Sequence, residues 1–205
     1  MSMEIQYIIA IISGAILILL MMWRSIRVKA NNKRSFSMVF LKVLVPKKES
    51  KDDREKEGGQ YAGEKDFKES IGVMAHFFEA IHSIYDGDLK YTIIGQEFMS
   101  FEYAVFNNQI FLYIVTPRKL VPLIEKQLTG FYPDAYIEIV PDYNIFKPNS
   151  RVAGCYMRFE KASWYPIRTY QRMGSDPLNT LTNVLSKLGH DEGAAIQIVV
   201  RPKRQ

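Results

Sequence analysis

The residues of this chain that could carry out chemistry are few and widely spaced. Its three histidines are His76, His82 and His190, and its paired carboxylates, Asp52-Asp53 and Asp191-Glu192, lie in polar stretches. His76 and His82 are six residues apart, so a helix would point them in different directions and they would not form a metal pair. Carboxylates in solvated surroundings are expected to keep their ordinary pKa. The sequence therefore predicts no catalytic residue and no metal site.

Motifs that bind nucleotides or activate nucleophiles are also missing from the sequence. It contains no G-x-x-x-x-G-K-[ST] loop, no G-x-G-x-x-G after a strand, no H-E-x-x-H and no G-x-S-x-G. We therefore predict that the chain is not an enzyme and that it binds no cofactor. Cys155 is the only cysteine, so no intramolecular disulfide can form, in keeping with a reducing compartment. Because Cys155 lies in an apolar stretch, we expect a buried and inert thiol.

The element that must position everything else is the apolar stretch from Ile5 to Trp23, which contains no charged residue. A helix of roughly 19 residues with a rise of about 1.5 Å per residue is about 28 Å long, close to the hydrocarbon thickness of a bilayer. A cleaved signal peptide would need basic residues before its apolar core and a small-residue cleavage site after it, and the sequence has neither. We predict a membrane anchor with Trp23 at the interface.

A basic collar follows the anchor, whereas only Glu4 and the amino terminus precede it; the collar consists of Arg24, Arg27, Lys29, Lys33 and Arg34. The positive-inside rule then predicts a single-pass protein of the inner (cytoplasmic) membrane, with its N-terminus outside and its globular part in the cytosol. The formal net charge is +5, but the collar supplies five positive charges and Glu4 one negative charge, so residues 35–205 carry only +1. The positive charge therefore belongs to the membrane junction, where it favours anionic lipid.

The pattern of the remaining residues predicts an α+β fold. A strand, a helix, two strands joined by an Asn-Asn turn, a second helix and a strand follow one another, which is the order of a ferredoxin-like (βαββαβ) unit with two helices on one sheet face. The first helix should begin at Asp66 as N-cap. The predicted elements are Phe36–Val45, Phe67–Tyr85, Phe98–Phe106, Ile110–Val115, Leu120–Leu128 and Ala135–Val140.

A second, incomplete β-α-β half-unit is predicted after this ferredoxin-like unit. It would contain a strand over Val152–Ala162, a helix that starts at Ser175-Asp176-Pro177 and a last strand over Ala194–Val200. The alternative is that the last strand returns to the first sheet. The expected organisation is an anchor and collar at 1–34, the first strand at 35–46, a charged flexible linker at 47–66, the rest of the ferredoxin-like unit at 67–143 and the half-unit at 144–205.

Aromatic and arginine residues near turns are typical anchors of protein interfaces. On this ground the candidate interface residues are Arg151, Trp164, Tyr165 and Arg168, although a buried Trp164 that closes the sheet edge is an equal alternative. Phe111 and Tyr113 lie on a strand without the glycine and the basic residue of an RNA-recognition strand, so we expect them to pack in the core or at an interface.

Four segments of the chain, taken in order, resemble a known family: FLKVLVPKKESKDDREKE, DFKESIGVMAHFFEAIHSIY, FLYIVTPRKLVPLIEKQLTGFYPDAYIEIVPDYNIF and YPIRTYQRMGSDPLNTLTNVLSKLGHDEGAAIQIVVRP. They are similar to the N-terminal region of bacterial conjugation-type, type IV secretion-like ATPases of the coupling-protein and HerA-like kind, as found in Patescibacteria. The resemblance covers nearly the whole chain after the anchor. It implies a single membrane anchor and an α/β region in front of a RecA-like motor domain.

The P-loop motor of that family would begin downstream of Arg201-Pro202, so its nucleotide site is carried over to no residue of this chain. The resemblance implies a non-catalytic, membrane-anchored assembly or positioning module of a conjugation or type IV secretion-like transfer machine. Such a chain would be either the front part of a larger ATPase or a separate chain split from its motor. The partners implied are inner-membrane lipid, other subunits of the complex or its own downstream motor, and further copies of the chain.

A membrane-tethered nucleic-acid-binding adaptor is the alternative function. Such an adaptor would need one positive face, which could combine Arg118-Lys119, Arg151, Arg158, Lys161, Arg168 and Arg172. Its log affinity would fall by about 0.9 per phosphate contact for each decade of salt. We do not expect direct contact with nucleic acid, because the globular part is not strongly basic.

Overall fold

The computed structural model describes residues 3–45, 60–162, 164–167, 169–174 and 177–203. Within them the protein is α+β, with one long apolar N-terminal helix and a five-stranded antiparallel sheet, so the predicted fold class is confirmed at this level. Residues 47–59 of the predicted linker lie outside the described residues. The same is true of the candidate interface residue Arg168 and of the predicted helix start at Ser175-Asp176.

The structure contains five α-helices and five strands among the described residues, and the described part of 141–174 contains no α-helix and no strand. The helices are α1 (Met3–Ser35), α2 (Gln60–Ile81), α3 (Leu89–Ile94), α4 (Val121–Phe131) and α5 (Pro177–Leu185). The strands are β1 (Met38–Leu44), β2 (Met99–Phe106), β3 (Gln109–Pro117), β4 (Tyr136–Val140) and β5 (Ala194–Val200).

The strands lie side by side in the order β4-β1-β3-β2-β5, and each neighbouring pair is antiparallel. β2 and β3 form the hairpin that the sequence predicts. Asn107 and Asn108 both adopt positive φ, at 52° and 60°, which a tight two-residue turn between right-twisted strands requires. β1, β3 and β2 are the three central strands, and each has a hydrogen-bonded strand on both sides. Their main-chain N–H and C=O groups therefore find partners within the sheet.

One face of the sheet is covered by α2 and α4. β1 points every second side chain towards this face, where Leu41 is fully buried against the helices. The core on this side combines strand and helix residues: Val39, Leu41, Val43, Met99, Phe101 and Ile114 from the sheet with Phe77, Ile81, Val121, Ile124 and Leu128 from the helices. Pro122 falls in the first turn of α4, as predicted, where its missing N–H costs no helical hydrogen bond.

The opposite face of the sheet is crossed by the strap, which we define as residues 141–147. The strap has no regular secondary structure, and Tyr143 within it stacks on Tyr113 with 4.9 Å between ring centroids. At its far end the strap meets the residue before β5, because a Cβ atom at Gly193 would lie 3.0 Å from Cβ of Ile145. Tyr113 is buried beneath the strap, which confirms its predicted packing role.

The predicted second half-unit is wrong in its first strand. Residues 152–162 form no strand, and β5 instead pairs with β2 at the edge of the same sheet, from Met99↔Val200 to Val105↔Ala194. A strand needs a hydrogen-bonded neighbour, and the edge next to β2 is taken by β5. The bounds predicted for β5 are confirmed, and so is the alternative in which the last strand returns to the first sheet.

Two further helical features differ from the prediction. α2 begins at Gln60, so Asp66 is not its N-cap, and residues 60–66 of the predicted linker are helical. α3 had no counterpart in the sequence analysis, because a helix of six residues is too short to show a helical period. The C-terminal end of this short helix is nevertheless where Arg34 of α1 contacts the globular part.

Candidate functional site

α1 provides the first part of the candidate site, an exposed apolar surface. By length and composition it could cross a membrane, since its most apolar 18-residue stretch has a mean hydropathy of 2.5 and none of that stretch is buried against the rest of the protein. The predicted anchor residues Ile5 and Trp23 are both exposed on this helix. Side chains this apolar on every side are what a lipid environment selects.

Arg34, near the end of α1, ties this helix to the globular part. It is only 8% exposed, and it donates from Nη1 to the carbonyl oxygen of Ile94 at 3.0 Å and from Nη2 to that of Gly95 at 2.7 Å. These carbonyls lie at and just after the C-terminal end of α3, where backbone oxygens lack helical partners and carry partial negative charge. Arg34 therefore acts as a side-chain cap for α3.

Arg27 makes a similar contact two helical turns earlier. Its Nε donates to the carbonyl oxygen of Ile93 at 3.2 Å, and its Nη2 lies 3.4 Å from that of Thr92. The guanidinium also sits over the ring of Trp23, 4.6 Å from the ring centroid. Arg27 thus connects the predicted interfacial aromatic with α3. The other predicted collar residues of the anchor, Arg24 and Lys29, are exposed on α1.

Glu97 is a carboxylate at this junction. Its Oε2 lies 3.5 Å from Nε of Arg34, and its Oε1 accepts a hydrogen bond from Nζ of Lys119 at 2.7 Å. Burial by itself would lower the pKa of Lys119, but the hydrogen bonds that its ammonium donates to Glu97 and to the Tyr91 hydroxyl outweigh burial, so the pKa is raised. The Glu97 carboxylate is therefore already paired with two cations, Arg34 and Lys119.

Arg201, just after β5, reaches the same junction from the other end of the sequence. Its Nη2 donates to Oδ1 of Asn31 on α1 at 3.1 Å, and its guanidinium packs 5.3 Å from the ring centroid of Phe98. Burial lowers the pKa of Arg201, and repulsion by Arg34 and Arg27 lowers it further. Arg201, from the other end of the sequence, is thus close enough to Arg27 and Arg34 of α1 to be repelled by both.

A cleft of about 690 Å³ opens between α1, α3 and the segment after β5. The charged residues that line it are all basic: Arg27, Arg201 and Lys203. Asn31, Gln96, Tyr85 and Tyr91 supply neutral polar groups around them. The arrangement is suited to binding an anion, because every charge in the lining has the same sign and several N–H donors converge there.

Tyr143 and Glu102 form the buried polar contact beneath the strap. Glu102 is only 4% exposed, and it accepts a hydrogen bond of 2.6 Å from the Tyr143 hydroxyl. Burial raises the pKa of Tyr143 well above that of a free tyrosine, and the hydrogen bond to the Glu102 carboxylate raises it further. The phenol therefore keeps its proton and acts as a donor, which holds the strap against the sheet.

Of the candidate interface residues, Arg151, Trp164 and Tyr165 fall on an exposed segment, defined as residues 151–162 and 164–167. Trp164 is 81% exposed, which excludes the alternative that it closes the sheet edge, and it stacks on Tyr165 with ring centroids 6.3 Å apart. Tyr156 and Met157 are 84% and 88% exposed. Arg151 lines a second cleft, of about 900 Å³, between the strap and the start of β5.

Cys155 lies in the same segment, and its prediction as a buried thiol is wrong, because its side chain is exposed. The apolar run around it is typical of a strand, but residues 152–162 pair with no strand and leave their side chains in solvent. Sequence reasoning also missed Asn31, Arg201 and Lys203 of the basic cleft. These residues are far apart in the sequence, so no local motif could have indicated that they form one cleft.

Comparisons with known proteins give one family. A family model described as a domain of unknown function, DUF8128, matches residues 64–205, which is well over half of the chain. The match begins within α2 and continues through β5, and so it lies after α1 and β1. No curated protein and no solved structure matches the chain.

Proposed function

The chain belongs to the DUF8128 family, and we propose that it is a membrane-anchored, non-catalytic assembly module of a conjugation or type IV secretion-like transfer machine. In this proposal α1 crosses the inner membrane once with its N-terminus outside, and the sheet and its helices lie in the cytosol. The module holds partner subunits, or a motor domain, at a defined position beneath the bilayer.

The observation that carries the proposal is the junction between α1 and α3. An apolar helix with none of its span buried is joined to the sheet by arginines that cap α3, and only Phe36 and Ser37 separate α1 from β1. Hydrogen bonds from a charged donor to otherwise unpaired carbonyls are stronger than neutral ones. Such a connection favours a fixed orientation of the globular part relative to the membrane, as a positioning module requires.

The exposed segment supports the assembly part of the proposal. Apolar and aromatic side chains are exposed close together in sequence here, including Tyr156, Met157, Phe159 and Trp164. Aromatic residues and methionine are enriched at protein interfaces, and large exposed apolar patches commonly mark interaction sites. We therefore assign the contact with partner subunits or further copies of the chain to this segment.

Cys155 allows a direct test of the membrane orientation, because it is the only cysteine and it is exposed. A membrane-impermeant maleimide should label Cys155 in inverted membrane vesicles but not in intact spheroplasts. The matched control carries Cys155→Ser together with Glu4→Cys, and it should show the opposite pattern. Labelling of Cys155 in intact spheroplasts would place the globular part outside and overturn the proposed topology.

The assembly role can be tested with a photo-crosslinking amino acid at position 157, in the exposed segment, and a control at Lys126 on α4. We expect ultraviolet light to give discrete cross-linked products in native membranes from position 157 and none from position 126. Substituting Trp164 and Tyr165 by serine should weaken those products. Equal cross-linking from both positions would contradict a specific interface.

The non-catalytic part of the proposal is tested separately. The purified chain should show no ATP hydrolysis above that of a mock purification. Turnover that copurifies with the chain and that changes in a point variant of it would contradict the proposal.

A nucleic-acid adaptor remains a second candidate because the exposed segment also places Arg151, Arg158 and Lys161 among exposed aromatic rings. Basic side chains next to aromatic rings are the combination with which proteins bind single strands. Binding of a labelled single-stranded oligonucleotide at low salt, weakened by added salt and by Tyr156→Ser, would favour this function over the first. No binding at low salt would exclude it.

A further inference from the structure

The basic cleft between α1 and the segment after β5 has the composition of a phosphate site. Arg27, Arg201 and Lys203 line it together with Asn31, and no acidic residue is among its described lining residues. Guanidinium and ammonium groups that converge with amide donors are the groups by which proteins recognise phosphate.

The positive charge of the cleft is poorly balanced by the protein itself. Arg27 donates to neutral backbone carbonyls, and Arg201 contacts the neutral amide of Asn31 and the ring of Phe98. Glu97 is the carboxylate whose charge acts on Arg201, and it is already bonded by Arg34 and Lys119. An added anion would therefore relieve repulsion that the fold maintains.

The segment that carries Arg201 and Lys203 is held in place by contacts other than those of the cleft. The carbonyl oxygen of Lys203 lies 3.1 Å from Nε2 of His82, and β5 before it is paired along its length with β2. The cleft is therefore formed by elements that the sheet and α2 position, and its two cations come from a fixed strand end.

Helix geometry places this cleft at the depth of lipid headgroups if α1 spans the bilayer. Arg27 follows Trp23 by four residues, or about 6 Å along a helix, and Asn31 follows by about 12 Å. The headgroup layer on each side of a bilayer is about 5–8 Å thick. Arg27 therefore lies within that layer, and Arg201, which donates to Asn31 and is close enough to Arg27 to be repelled by it, lies at its edge, while acyl chains can lie along the exposed apolar surface of α1.

We propose that this cleft binds the phosphate of an anionic phospholipid headgroup, with Arg27, Arg201 and Lys203 as the charged contacts and Asn31 as a polar contact. The proposal deepens the proposed function and rests on it, because the site meets a lipid only when α1 is in the membrane. A soluble phosphate would offer the same chemistry. The lipid is the source we assign, because Arg27 packs on Trp23 and continues the membrane-facing surface of α1.

The test uses the full chain reconstituted into nanodiscs that contain equal amounts of phosphatidylcholine and phosphatidylglycerol, followed by native mass spectrometry of the lipid that stays bound. The wild-type chain should retain phosphatidylglycerol preferentially. In R201Q/K203Q that preference should fall about thirtyfold, in line with the loss of two cations near a lipid surface. The control K126Q/K187Q removes the same charge from exposed positions on α4 and after α5 and should behave like the wild type.

One further variant and one added condition make the outcome decisive. R201K/K203R keeps both charges and should keep most of the preference, which separates loss of charge from misfolding. No preference in the wild type, or an equal loss in K126Q/K187Q, would overturn the site. Displacement of the bound lipid by millimolar inorganic phosphate would overturn the lipid as its source and assign the cleft to a soluble phosphate.

Alkaline carbonate extraction of membranes distinguishes failure of the site from failure of the proposed function. The R201Q/K203Q and K126Q/K187Q chains should stay in the membrane pellet with the wild-type chain, since α1 is unchanged in them. A wild-type chain that carbonate extracts would refute the anchor itself. A chain that stays in the pellet but shows no lipid preference would refute the cleft alone.

Discussion

At the scale of single residues, Tyr143 decides how the open face of the sheet is closed. Its ring stacks on Tyr113 and its hydroxyl donates to Glu102, so one side chain supplies both apolar cover and the partner of a buried carboxylate. A buried charge without a partner is strongly destabilising, whereas one that accepts a short hydrogen bond is tolerated. Tyr143 therefore allows Glu102 to occupy a strand position that faces the strap.

Tyr143→Phe is expected to lower the free energy of unfolding by about 1–3 kcal/mol, because Glu102 stays buried and loses its donor. Urea unfolding of the full chain in a mild detergent would measure the change. Tyr136→Phe, at an exposed tyrosine on β4, is the matched control and should be close to neutral. A neutral Tyr143→Phe would show that the hydrogen bond does not hold the strap.

The raised pKa of Tyr143 also predicts an alkaline effect. In the unfolded chain a tyrosine loses its proton near pH 10, while folded Tyr143 keeps it, so its contribution is complete below about pH 10 and declines as the pH rises further. Tyr143→Phe should therefore show a shallower loss of melting temperature between about pH 9 and 11 than the wild type. Tyr113 and Tyr132, whose pKa burial also raises, should preserve part of the decline in the variant.

At the scale of elements, α1 and α3 stabilise each other. α3 has six residues, and a helix this short is unstable alone because few of its residues form helical hydrogen bonds. Arg27 and Arg34 supply donors to its last carbonyls, and in return α3 fixes the direction in which α1 leaves the sheet. The collar therefore has a structural role in addition to the lipid contact that its charge predicts.

Arg34→Gln is expected to lower the free energy of unfolding by about 2–4 kcal/mol, since two carbonyls and Glu97 lose a buried charged partner. Hydrogen exchange of peptides that cover residues 88–97 should become faster, because α3 loses its cap. Lys33→Gln removes the same charge from an exposed position one residue away and serves as the control. Equal effects of the two substitutions would point to net charge, not capping, as the cause.

The strap meets the residue before β5, Gly193, where an added side chain would be crowded. A Cβ atom there would lie 3.0 Å from Cβ and 3.1 Å from the carbonyl oxygen of Ile145. We expect Gly193→Ala to cost about 1–3 kcal/mol of stability through overpacking. Gly154→Ala, at a site with open space around it, should not reproduce this loss in thermal unfolding. An unchanged melting temperature for Gly193→Ala would mean that the strap can move aside.

At the scale of the whole molecule, the long connection after β4 carries the chain from one edge of the sheet to the other. β4 and β5 form the two edges within the described residues, and the strap and the exposed segment lie between them in sequence. The last strand thereby joins the first part of the chain in a single sheet. α1 and the segment after β5 also meet at the basic cleft, so the two ends of the described chain share one site.

This topology predicts that a chain ending at residue 143 does not fold stably. Without β5, strand β2 loses one of its two neighbours, from Met99 to Val105, and the edge of the core becomes exposed. Limited proteolysis and circular dichroism should show a protease-sensitive chain without a cooperative thermal transition. A cooperative transition would instead support residues 67–143, together with the first strand, as an independent unit.

Local patterns in the sequence predicted those elements whose conformation depends on residues close together in the chain. Asn107 and Asn108 tolerate the positive φ of the hairpin, Pro122 fits the first turn of α4, and the apolar run Ala194–Val200 forms β5. The long apolar helix α1 and the basic residues at its end were also readable, because length, hydropathy and charge are properties of a continuous stretch. In each case the deciding interactions lie within a few residues of one another.

The tertiary structure alone decided which stretches pair and which groups meet. The apolar stretch around Cys155 has the composition of a strand, but β5 occupies the edge beside β2 and the stretch stays exposed. Asn31 and Arg201 are 170 positions apart in the sequence, yet they share a hydrogen bond at the cleft. Strand pairing and charge clusters depend on contacts between distant residues, and no local period or motif encodes such contacts.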